Sequence, residues 1–310
     1  MKKILVIGSS NIDFVVNVQY MPAVGETIIG NALSKIPGGK GANQAYACAK
    51  LGGDITFLST LGDDDSGKLL IDNLSRAGVN TGLISVLKDT PTGMAIIYIN
   101  KEGNNSIVVV SGANGLCSAE YLKNQSEAFQ ESDIMIVQME IPYDSVYYAV
   151  EKADKLGKTV ILNPAPAPDY IPDEIYSCID IITPNETELA RLTGYGIDSF
   201  ENIKEGCQAL LRKGVKNVLV TLGARGAMLV NNNEASIFAP PDIKVVDTTA
   251  AGDTFNAAIA VMLAEGRSYH DAIKFANIAS TIAVSRKGAQ TSVPARQEVD
   301  NFSKQLKNEK

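Results

Sequence analysis

The chain of 310 residues contains no tryptophan, one histidine and only four cysteines. His270 lies near a predicted helix start with no motif around it, which disfavours His-dependent triads and multi-His metal sites. The cysteines are far apart and form no CxxC pair, so we expect reduced, buried thiols and no zinc site; they are Cys48, Cys117, Cys178 and Cys207.

The chain also lacks a basic surplus and a long apolar run. Its formal charge of -7 excludes a global positive field for nucleic acid or an anionic membrane. The apolar run at residues 4–7 is ended by Ser9 and Ser10, too soon for a signal peptide, and no segment reaches the roughly 18 apolar residues of a membrane helix. We therefore expect a cytoplasmic protein without nucleic-acid or membrane partners.

Short β-branched runs alternate with helical patterns along the chain. Buried strands are predicted at residues 4–7, 55–58, 134–137, 160–162, 179–182 and 218–222. Helices are predicted at residues 41–51, 66–77, 145–156, 203–213, 255–263, 269–286 and 294–310. This order predicts an α/β fold of three layers, with a central, mostly parallel sheet flanked by helices.

A second group of segments alternates apolar and polar residues, which is typical of a one-sided sheet. These strands are predicted at residues 14–18, 27–34, 94–100 and 106–110, with a hairpin turn at 102–104. They are inserted at about 12–36 and 91–111 between elements of the main sheet. We therefore predict one domain, 1–310, with a β lid whose apolar face closes a site or pairs with another subunit.

The segment DTTAAGDTF, residues 247–255, places small residues and a carboxylate before a buried helix. Ala250, Ala251 and Gly252 fall where unpaired helix N–H groups can hold an anion. Asp253 would then be repelled by a bound phosphate, a conflict that makes sense if it accepts a proton from an attacking hydroxyl. The alternative is that Asp253 is the N-cap of an ordinary helix.

Two glycine clusters also carry polar residues. The cluster GGKGAN at 38–43 places Lys40 and Asn43 at a helix start, and without Walker spacing it fits a small hydroxyl-rich ligand better than a triphosphate. A simple glycine turn would leave this Lys and Asn without a role. In GDDDSGKL at 62–69, Leu69 replaces the magnesium-binding Ser or Thr, so this loop is predicted to cap a helix that begins near Ser66.

Polar residues follow several predicted strands, at the edge where open α/β sheets bind ligands. Asn11 and Asp13 follow the first strand, and Glu140 follows the run IMIVQM. Asn185 and Glu188 fit either a capping box or a site for phosphate and hydrated magnesium. The turn TLGARG at 221–226 would let a base or phosphate approach, although Arg225 can be merely solvated.

Together these motifs resemble the ribokinase family of carbohydrate kinases. The resemblance rests on GGKGANQA, TPNETE, TLGARG and DTTAAGDTFNAA, and on GSSNID, MPAVGET, LNPAPAP and RKGAQTSVP. These segments span nearly the whole chain in the family's order. Many relatives have glycine at the position of Ala250, so the anion hole would keep its shape here if Ala250 has a negative φ.

The resemblance implies transfer of the ATP γ-phosphate to the 5-hydroxyl of D-ribose. Asp253 would be the base and Ala250, Ala251 and Gly252 the anion hole. The sugar-binding residues would be Asn11, Asp13, Gly39, Lys40, Asn43, Glu140 and Asp253. The nucleotide-binding residues would be Asn185, Thr221, Gly223, Arg225, Gly226, Gly252 and Asn277.

The resemblance also implies Mg²⁺, supported through water by Glu188, and K⁺ as an activator. The potassium positions would be Asp247, Thr249, Ala283, Arg286, Gly288 and Ser292. A homodimer through the β lid is expected as well. Alternatives are another sugar or nucleoside kinase of this fold, such as a deoxyribokinase, fructokinase or adenosine-type kinase, or a non-catalytic sugar sensor. An oxidoreductase is disfavoured because GxGxxG is missing.

Overall fold

The computed structural model describes residues 1–308. Its strands are β1 (Lys3–Ile7), β2 (Asn11–Asn17), β3 (Ala32–Gly38), β4 (Asp54–Leu58), β5 (Thr60–Gly62), β6 (Ser85–Leu87), β7 (Gly93–Ile99), β8 (Asn105–Val110), β9 (Ile134–Gln138), β10 (Thr159–Asn163), β11 (Ile181–Ile182), β12 (Asn217–Thr221), β13 (Ala227–Asn231) and β14 (Ala235–Phe238).

The helices alternate with the strands of the main sheet. They are α1 (Lys40–Lys50), α2 (Asp65–Ala77), α3 (Ala119–Asn124), α4 (Ser126–Glu131), α5 (Tyr143–Lys155), α6 (Asp173–Tyr176), α7 (Glu186–Thr193), α8 (Phe200–Arg212), α9 (Ala251–Ala264), α10 (Tyr269–Val284) and α11 (Arg296–Asn308). Short 3-10 helices occur at Gly112–Leu116, Gly223–Arg225 and Gln290–Ser292. None of these helices, within residues 1–308, is long and apolar enough to cross a bilayer.

The main sheet has eight strands in the order β14-β13-β12-β11-β10-β9-β1-β4. The six strands from β12 to β4 in this order pair in parallel, which confirms the mostly parallel sheet predicted from the alternating pattern. The antiparallel strands β13 and β14 at one edge were not predicted. The connection from β12 to β13 is the tight turn around Gly223–Arg225, too short for a parallel crossover.

Helices cover both faces of this sheet. In β1, Ile4 and Val6 belong to the core shared with α1, α9 and α10, whereas Leu5 and Ile7 belong to the core shared with α5 and α8. This alternation follows from the two-residue side-chain period of a strand. It confirms the three-layer α/β arrangement.

The lid is a second sheet in the order β3-β2-β7-β8. The prediction of a strand at 27–34 was wrong, because residues 27–31 are a loop and the strand is Ala32–Gly38. Its bounds are set by antiparallel pairing with β2, from Asn17 opposite Ala32 to Asn11 opposite Gly38. The hairpin between β7 and β8 turns at Gly103, as predicted, and the edge strand β8 is exposed throughout.

Most predicted helices are found, with their ends moved by a few residues. The helix predicted at 255–263 begins earlier, at Ala251, because the small residues before it form its first turn. The tail helix predicted at 294–310 is α11, and residues 309 and 310 lie outside the described residues. As predicted, Asp64 in the acidic loop caps a helix, accepting from Gly67 N, and α2 begins at Asp65.

Candidate active site

The turn into α9 carries an unusual backbone conformation. Ala250 is the N-cap and lies in the left-handed region, with φ 57° and ψ 14°. The negative φ, given above as the condition for an unchanged anion hole, is therefore not found. The chain reverses here into the helix through a bond from Ala251 N to Thr248 O at 3.3 Å. This conformation costs about 1–2 kcal/mol for a residue with a Cβ.

The conformation of this turn determines which backbone N–H groups are available to bind an anion. Because Ala251 N is already used, the N–H groups of Gly252 and Asp253 are those of the first turn that helix geometry leaves without a partner. A Cβ added at Gly252 would meet nothing within 4 Å, so open space lies in front of this residue. The predicted anion hole is thus centred on residues 252 and 253.

Asp253 is the third residue of α9, so the alternative that it is an N-cap is excluded. Its buried carboxylate accepts two hydrogen bonds from α1. Asn43 Nδ2 donates to Oδ2 at 3.0 Å, and Gln44 Nε2 donates to Oδ1 at 3.0 Å. Neither amide can take up a proton, so neither competes with this carboxylate as a proton acceptor.

Lys40 is the first residue of α1 and lies close to three carboxylates. Burial acts to lower the pKa of Lys40, but the charges of Asp253, Glu140 and Glu188 outweigh it, so the pKa is raised. Lys40 is therefore a cation beside the predicted base. The helix start packs directly on the chain leading to β2, because a Cβ at Gly39 would lie 2.7 Å from Asn11 N.

The predicted sugar residues meet between the sheet and the lid. Asn11 and Asp13 belong to the lid strand β2 and not to a turn after β1. Glu140 Oε2 accepts from Ser9 Oγ at 2.5 Å and from Lys40 N at 3.0 Å, which ties the start of α1 to the sheet edge. Burial and the charge of Glu140 raise the pKa of Asp13 to about 7.

Asn114, which the sequence did not single out, orients one of these residues. Its side chain bonds to both backbone groups of Ser10, accepting from N at 2.8 Å and donating to O at 3.2 Å. It also donates to Asn11 Oδ1 at 2.6 Å. The amide of Asn11 therefore keeps its NH₂ group for another partner.

Two cavities meet at the first turn of α9. The smaller, of about 200 Å³, is lined by the predicted residues Lys40, Asn185, Thr221, Glu188, Ala250, Ala251, Gly252 and Asp253. The larger, of about 480 Å³, is lined by the predicted residues Thr221, Gly223, Gly226, Gly252 and Asn277. Thr221 and Gly252 belong to both, so a ligand that fills the larger cavity can extend to Asp253.

The larger cavity has walls that were not predicted. The segment Pro240, Pro241, Asp242, Ile243 and Val245 lines it, with Phe255 from α9. A proline pair followed by apolar residues after a strand was the available signal. Arg225, by contrast, does not line it: its guanidinium pairs with Glu186 and stacks on Phe200, with the ring centroid 4.8 Å away.

Asn185 and Glu188 form the capping box that the sequence offered as one interpretation. Asn185 Oδ1 accepts from Glu188 N at 2.8 Å, and Glu188 Oε2 accepts from Asn185 N at 2.9 Å. Burial raises the pKa of Glu188, against the hydrogen bond from Asn185 and the charge of Lys40. Capping does not remove them from the site, because both line the smaller cavity.

The residues proposed for potassium come from two adjacent segments. Asp247 N donates to Val284 O at 3.1 Å, and Asp247 Oδ2 accepts from Gly288 N at 2.9 Å. Asp247 Oδ1 accepts from Thr249 N and Oγ1. Burial acts to raise the pKa of Asp247, but these bonds prevail and lower it. The side chain of Arg286 instead pairs with Glu298.

The histidine and the cysteines lie outside the groups of residues described so far. His270 is the second residue of α10, where it pairs with Glu234, and it lines neither of the two cavities. The four cysteines are free, as expected, but the expectation of burial was wrong for Cys178, which is partly exposed. Over residues 1–308 no group of three or more His, Cys, Asp or Glu side chains is arranged to hold a metal.

The chain is similar in sequence to a known family of enzymes. A family model described as "pfkB family carbohydrate kinase" matches residues 1–296. A ribokinase from Haemophilus influenzae is 41% identical over 302 residues, covering 97% of this chain and 98% of the relative.

Two solved structures are similar over the whole fold. A ribokinase from Thermotoga maritima has a TM-score of 0.91 at 40% identity, covering 98% of this chain and 100% of that one. The ribokinase of Arabidopsis thaliana, complexed with ribose and ATP, has a TM-score of 0.90 at 37% identity, covering 97% and 98%.

Proposed function

Because the chain belongs to the pfkB family of carbohydrate kinases, we propose that it is a ribokinase. It transfers the γ-phosphate of ATP to the 5-hydroxyl of D-ribose and releases ribose 5-phosphate and ADP. One observation carries this proposal: the buried carboxylate of Asp253 lies at the helix turn where the two cavities meet, with Lys40 close by.

Asp253 accepts the proton of the attacking hydroxyl. The transition state of phosphoryl transfer is loose, so positioning and charge stabilisation dominate and a carboxylate of ordinary basicity suffices. The N–H groups of Gly252 and Asp253 and the charge of Lys40 stabilise the transferred group. The N–H of Ala251 contributes less, because it bonds to Thr248 O.

The sugar lies between the lid strand β2 and the start of α1. Asn11 donates through its NH₂ group, since Asn114 occupies its oxygen. Further groups come from the carboxylates of Asp13 and Glu140 and from the side-chain amide of Asn43. The backbone at Gly39 and Lys40 lets the sugar approach α1. Such groups match the many donors and acceptors of a pentose.

The nucleotide occupies the larger cavity. Its apolar walls, with Gly223 and Gly226 at the end of β12, suit a flat base that approaches the backbone. Asn185 and Gly252 lie towards the phosphates, and Thr221 lines both cavities. Asn277 donates to Phe238 O at 2.7 Å, which leaves its oxygen as an acceptor for the nucleotide. Arg225 reaches the nucleotide only if its pair with Glu186 opens.

Magnesium is the first of two proposed ions. The donors fit it, because Mg²⁺ keeps most of its waters and needs few protein carboxylates beside substrate phosphates. Glu188 supplies one carboxylate in the smaller cavity. When bound, the ion neutralises phosphate charge.

Potassium is the second proposed ion. The anionic Asp247, the Thr249 hydroxyl and nearby backbone oxygens at Ala283, Arg286, Gly288 and Ser292 form an oxygen-rich set that suits a weakly hydrated cation. The bonds of Asp247 to Thr249 N and Gly288 N already join the two segments that would hold it. When bound, the ion would help to hold the turn before α9 in shape.

A homodimer through the lid is proposed because the edge strand β8 exposes Ile107, Val108, Val109 and Val110. Exposed adjacent apolar residues on a sheet edge favour association. A cytoplasmic location is proposed because the enzyme consumes ATP and carries free thiols.

A substrate panel tests the proposed activity. The enzyme is incubated with ATP, Mg²⁺ and one of D-ribose, 2-deoxy-D-ribose, D-fructose or adenosine, and the phosphorylated position is mapped by NMR. The proposal requires D-ribose to have the highest kcat/KM and to be phosphorylated at O5. Preference for another acceptor would reassign the substrate, and no phosphorylated product would favour a sugar sensor.

A further inference from the structure

A chain of buried amides lies beneath Asp253. Gln44 of α1 is fully buried and uses every hydrogen-bonding group of its side chain. Its Nε2 donates to Asp253 Oδ1 at 3.0 Å and to Asn163 Oδ1 at 3.1 Å, and its Oε1 accepts from Gln138 Nε2 at 2.6 Å. The orientation of this amide is therefore determined by three partners.

The partners of Gln44 are anchored in the sheet. Gln138 and Asn163 are the last residues of β9 and β10 and lie opposite each other in register. Asn163 Nδ2 donates to Thr183 O at 3.1 Å, and Thr183 Oγ1 donates to Asn256 Oδ1 at 2.6 Å. A rigid sheet edge thus supports the amide that contacts Asp253.

The chain of bonds returns to α9. Asn256 lies one helical turn after Gly252 and donates from Nδ2 to Gly252 O at 2.9 Å. The network therefore holds the first turn of α9 at two points, the carboxylate of Asp253 and the carbonyl of Gly252. These are the residues that carry the predicted base and anion-binding amides.

Packing alone does not explain these polar side chains. Apolar side chains surround them in the cores on both sides of the sheet, and a buried polar group is costly unless it is hydrogen-bonded. The cost is not fully offset even here, because Gln138 Oε1 has no partner within residues 1–308. These polar side chains are better explained by the position they give to the first turn of α9 than by a contribution to the free energy of unfolding.

We propose that Gln44 is a positioning residue that holds Oδ1 of Asp253, so that Oδ2 is the oxygen that takes the proton from the sugar. A rotated Gln44 amide would set its oxygen against Asp253 Oδ1 and Asn163 Oδ1 and lose these bonds. Oδ2 also accepts one hydrogen bond, from Asn43 Nδ2 at 3.0 Å, but Asn43 keeps a 7% exposed fraction, whereas Gln44 on the Oδ1 side has none. This inference rests on the proposed role of Asp253 as the base.

The proton and electron balance is that of simple phosphoryl transfer. The sugar hydroxyl oxygen forms a bond to the γ-phosphorus, and its proton moves to Asp253 Oδ2. The bond from the γ-phosphorus to the bridging oxygen breaks, and ADP leaves with that electron pair. Gln44 exchanges no proton and acts only through the direction of the carboxylate.

Two substitutions of Gln44 separate its donors from its volume. Gln44→Met keeps a similar volume without hydrogen bonds, and Gln44→Glu keeps the acceptor for Gln138 but turns a carboxylate oxygen towards Asp253. Besides this new charge, Asp253 faces Lys40 of α1 and Glu188 of α7, which are unchanged in the variants. Asn217→Asp is the matched control, since Asn217 is a buried amide at the opposite end of β12 that donates to Asp180 O.

The readouts are kcat, the KM for ribose, the pH profile of kcat and thermal stability. Gln44→Met is expected to lower kcat on the order of 10²-fold with little change in KM, as for a misdirected catalytic group. Gln44→Glu is expected to move the acid limb of the kcat profile to higher pH, because a neighbouring negative charge disfavours ionised Asp253. Asn217→Asp is expected to lower stability without either effect.

Folded Gln44 variants with wild-type kcat and pH profile would overturn the inference. If Gln44→Glu does not fold, Gln44→Met, which adds no charge, decides by the same kcat criterion. Asp253→Asn is measured in parallel to keep the two ideas apart. Full turnover in Asp253→Asn refutes the base itself, whereas an inactive Asp253→Asn beside normal Gln44 variants refutes only the positioning role.

Discussion

Replacing Asp13 by Asn is expected to make the protein more stable at neutral pH. The carboxyl group of Asp13 packs against the backbone of β3 at Gly38. It lies so close that a Cβ on Gly38 would clash with Asp13 Oδ2. Within residues 1–308 no hydrogen bond to this carboxyl group offsets its burial. Burial and the charge of Glu140 therefore raise the pKa of Asp13 from 3.8 to about 7.

The sign and the pH window follow from this difference. Below pH 3.8 Asp13 is protonated in both the folded and the unfolded chain, and its folded state carries no penalty. As the pH rises towards 7, the unfolded chain loses this proton first, so the free energy of unfolding falls. The full loss is about 4 kcal/mol, of which about 2–3 kcal/mol falls between pH 5 and pH 8.

Urea denaturation of the wild type and Asp13→Asn at pH 5, 6, 7 and 8 measures this loss. The stability of the variant relative to the wild type should increase by about 2–3 kcal/mol across this range. Asp63→Asn, which removes the same charge from an exposed residue, is the matched control. Parallel stability curves for the wild type and Asp13→Asn would refute the argument that Asp13 is buried without compensation.

Three further changes probe other parts of the structure. Ala250→Gly should raise stability by up to about 1 kcal/mol, because relief of the left-handed strain slightly exceeds the entropy lost by glycine; a loss measured by urea denaturation would contradict the assigned φ. Asn114→Asp should raise the KM for ribose about 10-fold with a smaller change in kcat, since it turns an oxygen towards Asn11; an unchanged KM would contradict the orientation of Asn11. Val108→Glu should convert the proposed lid dimer into monomers in light scattering, while the control Ile237→Glu on β14 should not; a persistent dimer would exclude the lid interface.

The sequence predicted the layers well, because buried parallel strands are continuous apolar runs and helices have their own period. It placed β3 wrongly because strand pairing, and not local pattern, sets where that strand begins. The antiparallel edge strands β13 and β14 were missed for a related reason. Their ends are set by antiparallel pairing with β12 and with each other, and not by a local pattern.

The residues of the site also fall into two groups: those that the local sequence identifies and those whose role depends on contacts between distant parts of the chain. Glycines and polar residues at strand ends identified Asp253, Lys40 and Glu140. The sequence could not show that Arg225 pairs with Glu186, since that contact joins two separate turns. Nor did it single out Gln44, whose role depends on three partners from other elements; the only local signal was a polar residue inside a buried helix face.

The substitution Asp253→Asn shows whether Asp253 takes the proton of the sugar hydroxyl. Calorimetric titration measures ribose binding, and a coupled ADP assay measures turnover with ATP and Mg²⁺. We expect kcat to fall on the order of 10²–10⁴-fold while ribose still binds. Turnover close to that of the wild type, with binding intact, would contradict it.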